Sequence, residues 1–362
     1  MNCPLCKESN LSLIYEVRDI PVFQNKVYES VEAARNAQTA NVSLVLCKSC
    51  SFVFSSSFDM NIMNYDAQYQ NEQAYSCYFQ NYLDGILNLL VSEGFRTKEI
   101  IEIGCGKGYF LEKLQKHNFE VTGFDPAYEG NNPKIIKDYF TEKYSHLNAD
   151  LFILRHNLEH IQNPLDFLHT VAATADYKGM IFIEVPTFEW IIKKKAFWDI
   201  FYEHCNYFTF DSLGSIFRKS KQGTLFNDQY MYLLADLKDL RTQAKPAKPR
   251  MNYRKLGFQD SLNEYREFVE NHTGMLIWGA GAKGSTFVNL VDSDRKYVSY
   301  VVDINPKKQN RYIAKTAHKI ISPRFLVELG GRDILVMNDN YYEETKKHVG
   351  ELDFNLYVLG TS

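Results

Sequence analysis

The sequence predicts an α/β protein in which a small cysteine-rich module precedes two doubly wound domains with mainly parallel sheets. Two Cys-x-x-Cys pairs stand near the N-terminus, and glycine-rich turns follow short apolar runs in 99–114 and again in 275–291. A strand, a glycine turn and a helix, in that order, open the βαβ unit of a doubly wound sheet. We therefore predict a module at 1–58, one α/β domain at 59–240 and a second at 253–362.

The composition limits the classes of partner. Apolar residues make up 45% of the chain and charged residues 23%, with a net charge of -3 and no basic block, so a nucleic-acid partner is not expected. No apolar run approaches the ~20 residues that span a membrane, and the first residues lack the apolar core of a signal peptide. We expect a cytoplasmic protein without a membrane partner, in which the seven cysteines serve as metal ligands or free thiols.

The N-terminal cysteines have the spacing of a structural metal site. Two C-x-x-C pairs supply four thiolates for tetrahedral zinc, which closes the coordination sphere and leaves no position for a substrate. The four predicted ligands are Cys3, Cys6, Cys47 and Cys50. A redox pair is the alternative. Strands such as Leu11–Val17 and Val42–Leu46 are expected to fill the long gap between the pairs.

The first glycine turn predicts an adenosine site. The apolar run Ile100–Ile103 leads into glycines at every second position, where the chain turns sharply and a ligand can lie against bare backbone. Asp125 ends the next apolar run, about 20 residues on, where an acid accepts hydrogen bonds from ribose hydroxyls. The spacing E-x-G-x-G-x-G of this turn differs from the G-x-G-x-x-G of dinucleotide sites and resembles the loop of class I S-adenosylmethionine (SAM) methyltransferases. Its members are Glu102, Gly104, Gly106 and Gly108.

The remaining strands of this domain place further polar residues at the carboxyl edge of the sheet. The predicted strands are Val121–Phe124, Lys134–Ile136, Asp150–Leu154 and Met180–Val185. Asp138 follows the third of the domain's strands and is a candidate for the adenine. His156 and Glu159 follow the fourth and are candidates for cofactor contact. Helix capping by Asn157, with Glu159 in the first turn, explains the same residues equally well.

A tyrosine-rich tract, 64–83, precedes the first glycine turn. Tyr75, Tyr78, Phe79 and Tyr82 have the i, i+3, i+4, i+7 spacing of one helical face. Packing of that face is one interpretation, and a lid over the cofactor pocket is the other. On the second interpretation Tyr75 and Tyr78 contact the substrate.

The aromatic stretch 198–210 contains Glu203-His204. A methyl acceptor must lose a proton, and histidine has a suitable pKa for a general base when a carboxylate orients it. A core histidine without a catalytic role is the alternative.

A charged, proline-containing stretch, 238–254, predicts a linker before the second glycine turn. That turn, Gly279 to Gly284, has the G-x-G-x-x-G spacing of a dinucleotide site, and Asp303 follows about 20 residues later. Lys283 within the turn also suits a phosphate, so the diphosphate of a nucleotide-linked sugar fits the same backbone N–H groups. An oxidoreductase that uses NAD through this turn is the alternative.

Together these motifs resemble the deoxysugar C-methyltransferases of antibiotic biosynthesis, the C-3′-methyltransferase family that acts on nucleotide-linked sugars. The matching segments are the paired cysteines, Tyr75-Ser76, the run from Ile101 to Gly108, Arg155 to Ile161, Glu203 to Phe208, Gly279 to Gly284, and Asp303 to Lys308. The resemblance implies a zinc module, a SAM domain and a Rossmann-like C-terminal domain that holds the nucleotide-sugar without NAD.

The resemblance also implies that His204 is the base and that Tyr75 and Glu203 line the site. The candidate substrate contacts are Tyr202, Tyr207, Gly281, Lys283, Asn305 and Lys308. The chain departs from the family at Phe201-Tyr202, where Tyr-His is common, and at Ala314 to Thr316, where Pro-Gly-Thr is usual. Because phenylalanine cannot donate a hydrogen bond to an enolate, O-methylation of an activated sugar stays an alternative. A zinc-containing scaffold with no activity is a further alternative, and the sequence leaves the oligomeric state open.

Overall fold

The computed structural model describes residues 1–64, 68–247, 253 and 255–360, which build sheets of four, seven and five strands and one two-stranded ribbon. Most of the last third of the predicted linker, 248–252 and 254, and a short part of the tyrosine tract, 65–67, lie outside the described residues. In the described part of the chain, no helix has both the length and the apolar character that a membrane crossing requires.

The N-terminal module is an antiparallel sheet that joins both domains. Its three own strands are Leu11–Pro21, Thr39–Cys47 and Val53–Ser55, and a short helix, Val31–Arg35, follows the first. The strands predicted in the cysteine gap are confirmed. Asn206–Tyr207 from the middle domain adds the fourth strand, and Val27–Tyr28 pairs with Tyr312–Ile313 of the C-terminal domain. These pairings hold residues 1–58 against the rest of the chain.

The middle domain has a seven-stranded sheet that is parallel except for one terminal hairpin. Its strands, in spatial order, are Lys221–Leu225, Tyr230–Asp236, Met180–Pro186, Leu151–Arg155, Glu99–Ile103, Glu120–Phe124 and Ile135–Ile136. Its main helices are Cys77–Ser92, Tyr109–Lys116, Pro164–Thr174, Phe188–Lys193 and Phe210–Gly214. The predicted mainly parallel sheet is confirmed, because the hairpin adds the antiparallel strands only at one edge.

The helix of the tyrosine tract begins later than the apolar spacing predicts. The helix Cys77–Ser92 begins after Ser76, whose hydroxyl accepts a hydrogen bond from Phe79 N at 3.1 Å. Tyr75 therefore lies before the helix, and the prediction that it shares the helical face is wrong. Tyr78 and Tyr82 do share that face and pack on Phe226, with ring centroids 5.4 Å and 4.9 Å away.

The C-terminal domain repeats the doubly wound arrangement with five parallel strands. Their spatial order is Ile320–Ile321, Val298–Val302, Met275–Trp278, Asp333–Val336 and Asn355–Val358. Its helices are Phe258–Asn271, Ala282–Val291, Leu326–Leu329 and Tyr342–Val349. The central strand Met275–Trp278 leads directly into the second glycine turn, as the sequence predicts.

Candidate active site

A cleft of about 410 Å³ lies between the two glycine turns. Its lining includes Gly104–Lys107 from the middle domain, Gly281–Gly284 from the C-terminal domain and Asn25 from the module. The carboxyl edges of both parallel sheets therefore open onto one space, which is where ligands bind in doubly wound domains.

Each turn is fixed to its sheet by the acid that follows it. Asp125 accepts hydrogen bonds from Gly106 N and Ala127 N, both at 2.8 Å. Asp303 does the same with Ala280 N at 2.8 Å and Asn305 N at 2.7 Å. Asp125, which the sequence assigns to ribose, thus binds backbone donors and is not in the lining of the cleft, whereas Asp303 does line it.

The three glycines of the first turn are needed for different reasons. A Cβ on Gly104 would lie 2.1 Å from Asn157 Nδ2, and one on Gly108 would lie 2.4 Å from Ile135 Cδ1. Gly106 has a φ of +56, and its Cβ would project into open space. Because Gly106 also lines the cleft, it leaves bare backbone that a ligand can approach.

Glu102 is a buried carboxylate beside this turn. It is 3% exposed, and no hydrogen-bond partner for its Oε2 is found in the described chain. Burial raises the pKa of Glu102 to about 7, and Arg155 opposes the rise. An unsatisfied acceptor facing the cleft fits the cationic amino group of SAM. Asp138, the adenine candidate, is instead tied to Lys143 and to Tyr144 Oη at 2.8 Å and lies outside the lining.

The end of the strand Leu151–Arg155 and the loop after it form a buried polar network. Arg155 Nε donates to Glu184 Oε2 at 2.7 Å, and both groups are covered. His156 has a positive φ of 48 and its Nδ1 lies 3.5 Å from Glu159 Oε1. Burial lowers the pKa of His156, so its ring is neutral near pH 7. Glu159 is 1% exposed and lines the cleft, as the cofactor prediction requires.

His204 lies on the cleft wall in a histidine pair. Its ring centroid is 4.2 Å from that of Phe201 and 4.8 Å from that of His160. Burial, with the neighbouring His160, lowers the pKa of His204 well below its usual value, so the imidazole is neutral. His160 Nδ1 lies 2.9 Å from the carbonyl oxygen of Glu203, which assigns the proton of His160 to Nδ1 and leaves its Nε2 as an acceptor.

The Glu203 carboxyl has other partners than the sequence predicts. Its Oε2 accepts from Gln24 N at 2.9 Å, and Tyr69 also bonds to it. Within the described ranges, no hydrogen bond joins this carboxyl to the His204 ring. Burial raises the pKa of Glu203. Its Oε1 is buried without a partner in the described chain, and the residue lines the cleft.

The lysine of the second turn, Lys283, is bound by other side chains of the protein. Lys283 is paired with Asp199 and lies 4.7 Å from the centroid of Trp190. Asn305 is 2% exposed, and its Nδ2 has no acceptor among the described residues. Lys308 is 4% exposed and donates from Nζ to Ala280 O at 2.9 Å.

The cleft gathers two thirds of the residues that the sequence assigns to ligand binding or catalysis. Those in its lining are Tyr75, Glu102, Gly104, Gly106, His156, Glu159, Glu203, His204, Gly281, Lys283, Asn305 and Lys308. Those outside it are Tyr78, Gly108, Asp125, Asp138, Tyr202 and Tyr207. The hydroxyl of Tyr202 bonds to the backbone of Asp59, that of Tyr207 to the backbone of Phe201, and that of Tyr78 to Asn340.

Sequence reasoning missed several residues of the lining. They are Asn25, Tyr69, Lys107, Asp199, Tyr230, Tyr341 and Glu344. Most lie far in sequence from the glycine turns, so no local motif marks them. Lys107 stands inside the first turn, Tyr69 inside the tyrosine tract and Asp199 inside the stretch 198–210, but none of the three was assigned to the site.

The four predicted metal ligands converge. Cys3 Sγ lies 3.6 Å from Cys50 Sγ, and Cys6 Sγ lies 3.5 Å from Cys47 Sγ. All four sulfur atoms are within 4.8 Å of one another, and all four residues are buried. Zinc–sulfur bonds of about 2.3 Å in a tetrahedron require sulfur separations of about 3.8 Å, so this set fits zinc.

Two family models match this chain, one over the domain with the seven-stranded sheet and one over the domain with the five-stranded sheet. A family model described as "Methyltransferase domain" matches residues 75–220. A second, described as "C-methyltransferase C-terminal domain", matches residues 256–352. With the class I sheet and the glycine turn, the first match defines a SAM-type methyltransferase domain.

Similar proteins include C-methyltransferase NovU from Streptomyces niveus, which is 29% identical over 130 residues. The match covers 33% of this chain and 31% of NovU, so it spans about a third of that relative. Among solved structures, a SAM-dependent methyltransferase from Archaeoglobus fulgidus is 16% identical, with 44% of this chain and 99% of that chain covered and a TM-score of 0.32. Magnesium protoporphyrin IX methyltransferase from Synechocystis, solved with SAH, is 16% identical, with 47% and 89% covered and a TM-score of 0.34.

Proposed function

We propose that this protein transfers the methyl group of SAM to a carbon atom of a nucleotide-linked sugar, with His204 as the general base. One observation supports this proposal above the others: a neutral histidine lies on the wall of the cleft that separates the two glycine turns. A cofactor against the first turn and a nucleotide-sugar against the second would meet beside it.

The bound cofactor supplies a methyl group on a positively charged sulfur. The chain supplies position and charge. Gly106 offers backbone for close approach, and the Glu102 carboxyl offers an acceptor for the amino group. Holding donor and acceptor in line between the two turns accounts for much of the expected acceleration.

The neutral His204 ring accepts the proton that leaves the acceptor carbon. A carbon beside a carbonyl is acidic only if the developing enolate oxygen is stabilised. Phe201 lines the cleft here but has no hydroxyl to donate. The Glu203 carboxyl, which burial favours in its protonated form, has an oxygen without a described partner at the same wall, and it is the donor that we assign to the enolate.

Carbon is favoured over oxygen as the acceptor because the second family match is to a C-methyltransferase C-terminal domain and NovU is itself called a C-methyltransferase. Neither family match is to a NAD-dependent enzyme, so the oxidoreductase alternative has no support from the comparisons.

We also propose that the buried four-cysteine set holds structural zinc and has no part in the reaction, because all four ligands are thiolates.

A screen of nucleotide-sugars with methyl-labelled SAM, followed by mass mapping of the product, tests the function. His204→Asn is expected to lower turnover by about a thousandfold while SAH binds unchanged, because only the base is lost. His117→Asn, at an exposed position after the helix Tyr109–Lys116, is the matched control. Full activity of His204→Asn would remove the base assignment, and label on a hydroxyl oxygen would replace carbon by oxygen as the acceptor.

A further inference from the structure

Two lysine side chains on the cleft wall are held only by neutral groups. Lys107, inside the first glycine turn, donates from Nζ to Gln70 Oε1 at 3.0 Å. Lys308, in the C-terminal domain, donates to Ala280 O at 2.9 Å and to Asn25 Oδ1 at 3.4 Å. In the part of the chain that the structure describes, neither ammonium group forms an ion pair with a carboxylate.

The lysine that the second turn itself contains does not offer a free charge. Lys283 is paired with Asp199, a carboxylate that is buried with it. A negatively charged ligand would therefore find ammonium groups that no described carboxylate pairs with at Lys107 and Lys308, from the two domains that face the cleft, and not at Lys283.

The two ammonium groups are affected by burial and by charges of both signs, including each lysine's cationic neighbour. Burial lowers the pKa of Lys308, and the charge of Lys107 lowers it further, whereas Asp303 raises it. Burial and the charge of Lys307 lower the pKa of Lys107, and Glu129 and Glu72 raise it. Like charges that converge in a cleft repel each other, and a bound anion removes that cost.

Uncharged donors complete the site. Asn305, 2% exposed, lines the same cleft and has an Nδ2 without an acceptor among the described residues. The helix Ala282–Val291 begins at this wall, and the N–H groups of its first turn add to the positive potential. Two cations, an amide and a helix N-terminus form a donor set suited to a diphosphate.

We infer that Lys107 and Lys308 together bind a diphosphate and so connect the cofactor turn to the C-terminal domain. This inference rests on the proposed function for the identity of the substrate, but not for the existence of the anion site. Lys107 stands between Gly106 and Gly108, so a diphosphate that draws it across the cleft acts on the turn that holds SAM. Cofactor and diphosphate should therefore strengthen each other's binding.

Calorimetric titration of the full-length protein with inorganic pyrophosphate, with and without SAH, tests the site. We expect Lys107→Gln to weaken pyrophosphate binding by about tenfold and to abolish the strengthening by SAH. Lys98→Gln is the matched control, since Lys98 is exposed and pairs with Asp150 away from the cleft. Lys308→Gln should weaken binding as well, and melting curves of all variants verify that they fold.

Pyrophosphate affinity that is the same in wild type, Lys107→Gln and Lys308→Gln would overturn the inference. The proposed function can be refuted independently of the anion site. If pyrophosphate binding depends on Lys107 but no activated sugar accepts a methyl group, the anion site stands and the sugar proposal falls. If a nucleotide-sugar is methylated with the same KM by wild type and Lys107→Gln, the anion site falls and the function stands.

Discussion

Substitution of Glu102 by glutamine should change how SAM binding depends on pH. The pKa of this buried carboxyl is raised from 4.5 to about 7. At ~1.36 kcal/mol per pKa unit, burial disfavours the ionised form by about 3 kcal/mol. A bound ammonium group can recover this energy, because it favours the ionised carboxylate that burial disfavours.

The sign of the effect follows from linkage. The folded-state pKa of the acid is raised, so the carboxyl is largely protonated at pH 6 and largely ionised at pH 7.5. If bound SAM returns the pKa to its ordinary value, the affinity for SAM should be roughly eightfold higher at pH 7.5 than at pH 6. Binding should also release a proton below pH 7.

Calorimetry in buffers of different ionisation enthalpy measures both the affinity and the released proton. Glu102→Gln should bind SAM more weakly at pH 7.5 and show little change between the two pH values. Glu99→Gln, at the exposed start of the same strand, should behave like wild type. The reasoning is refuted if wild-type affinity is the same at both pH values, or if Glu102→Gln retains the full dependence.

Two further perturbations probe the module and the contact between domains. Cys47→Ser should reduce bound zinc, measured by elemental analysis, from about one ion per chain to almost none. The control variant Cys77→Ser, at an exposed cysteine, should retain the zinc. Equal zinc content in both variants would exclude the four-cysteine site. Glu344 Oε2 accepts a hydrogen bond from the Ser76 hydroxyl at 2.6 Å. Glu344→Gln should therefore lower the free energy of local opening of the tract before the helix Cys77–Ser92, measured by hydrogen exchange, by about 1–2 kcal/mol. The exposed Glu343→Gln is its control, and unchanged exchange would mean that this contact does not hold the tract.

Local patterns were sufficient for the fold because each one is a property of a short segment. The run Ile100–Ile103, the glycines after it and the helical spacing from Tyr109 fix a strand, a turn and a helix without reference to the rest of the chain. The same holds for the turn at Gly279. Misjudged boundaries, such as Tyr75 before its helix, arose where a capping residue, Ser76, outweighed an apolar spacing.

The sequence by itself identified the candidate functional residues, namely two glycine turns, four cysteines and the Glu203-His204 pair. Only the tertiary structure decided their partners. It brought Asn25 and Lys107 to the cleft that Lys308 shares, tied Lys283 to Asp199, and set His160 rather than the Glu203 carboxyl beside His204. The physical reason is that a hydrogen bond or ion pair depends on distances of a few ångström between side chains, and spacing along the chain does not specify those distances across separate sheets.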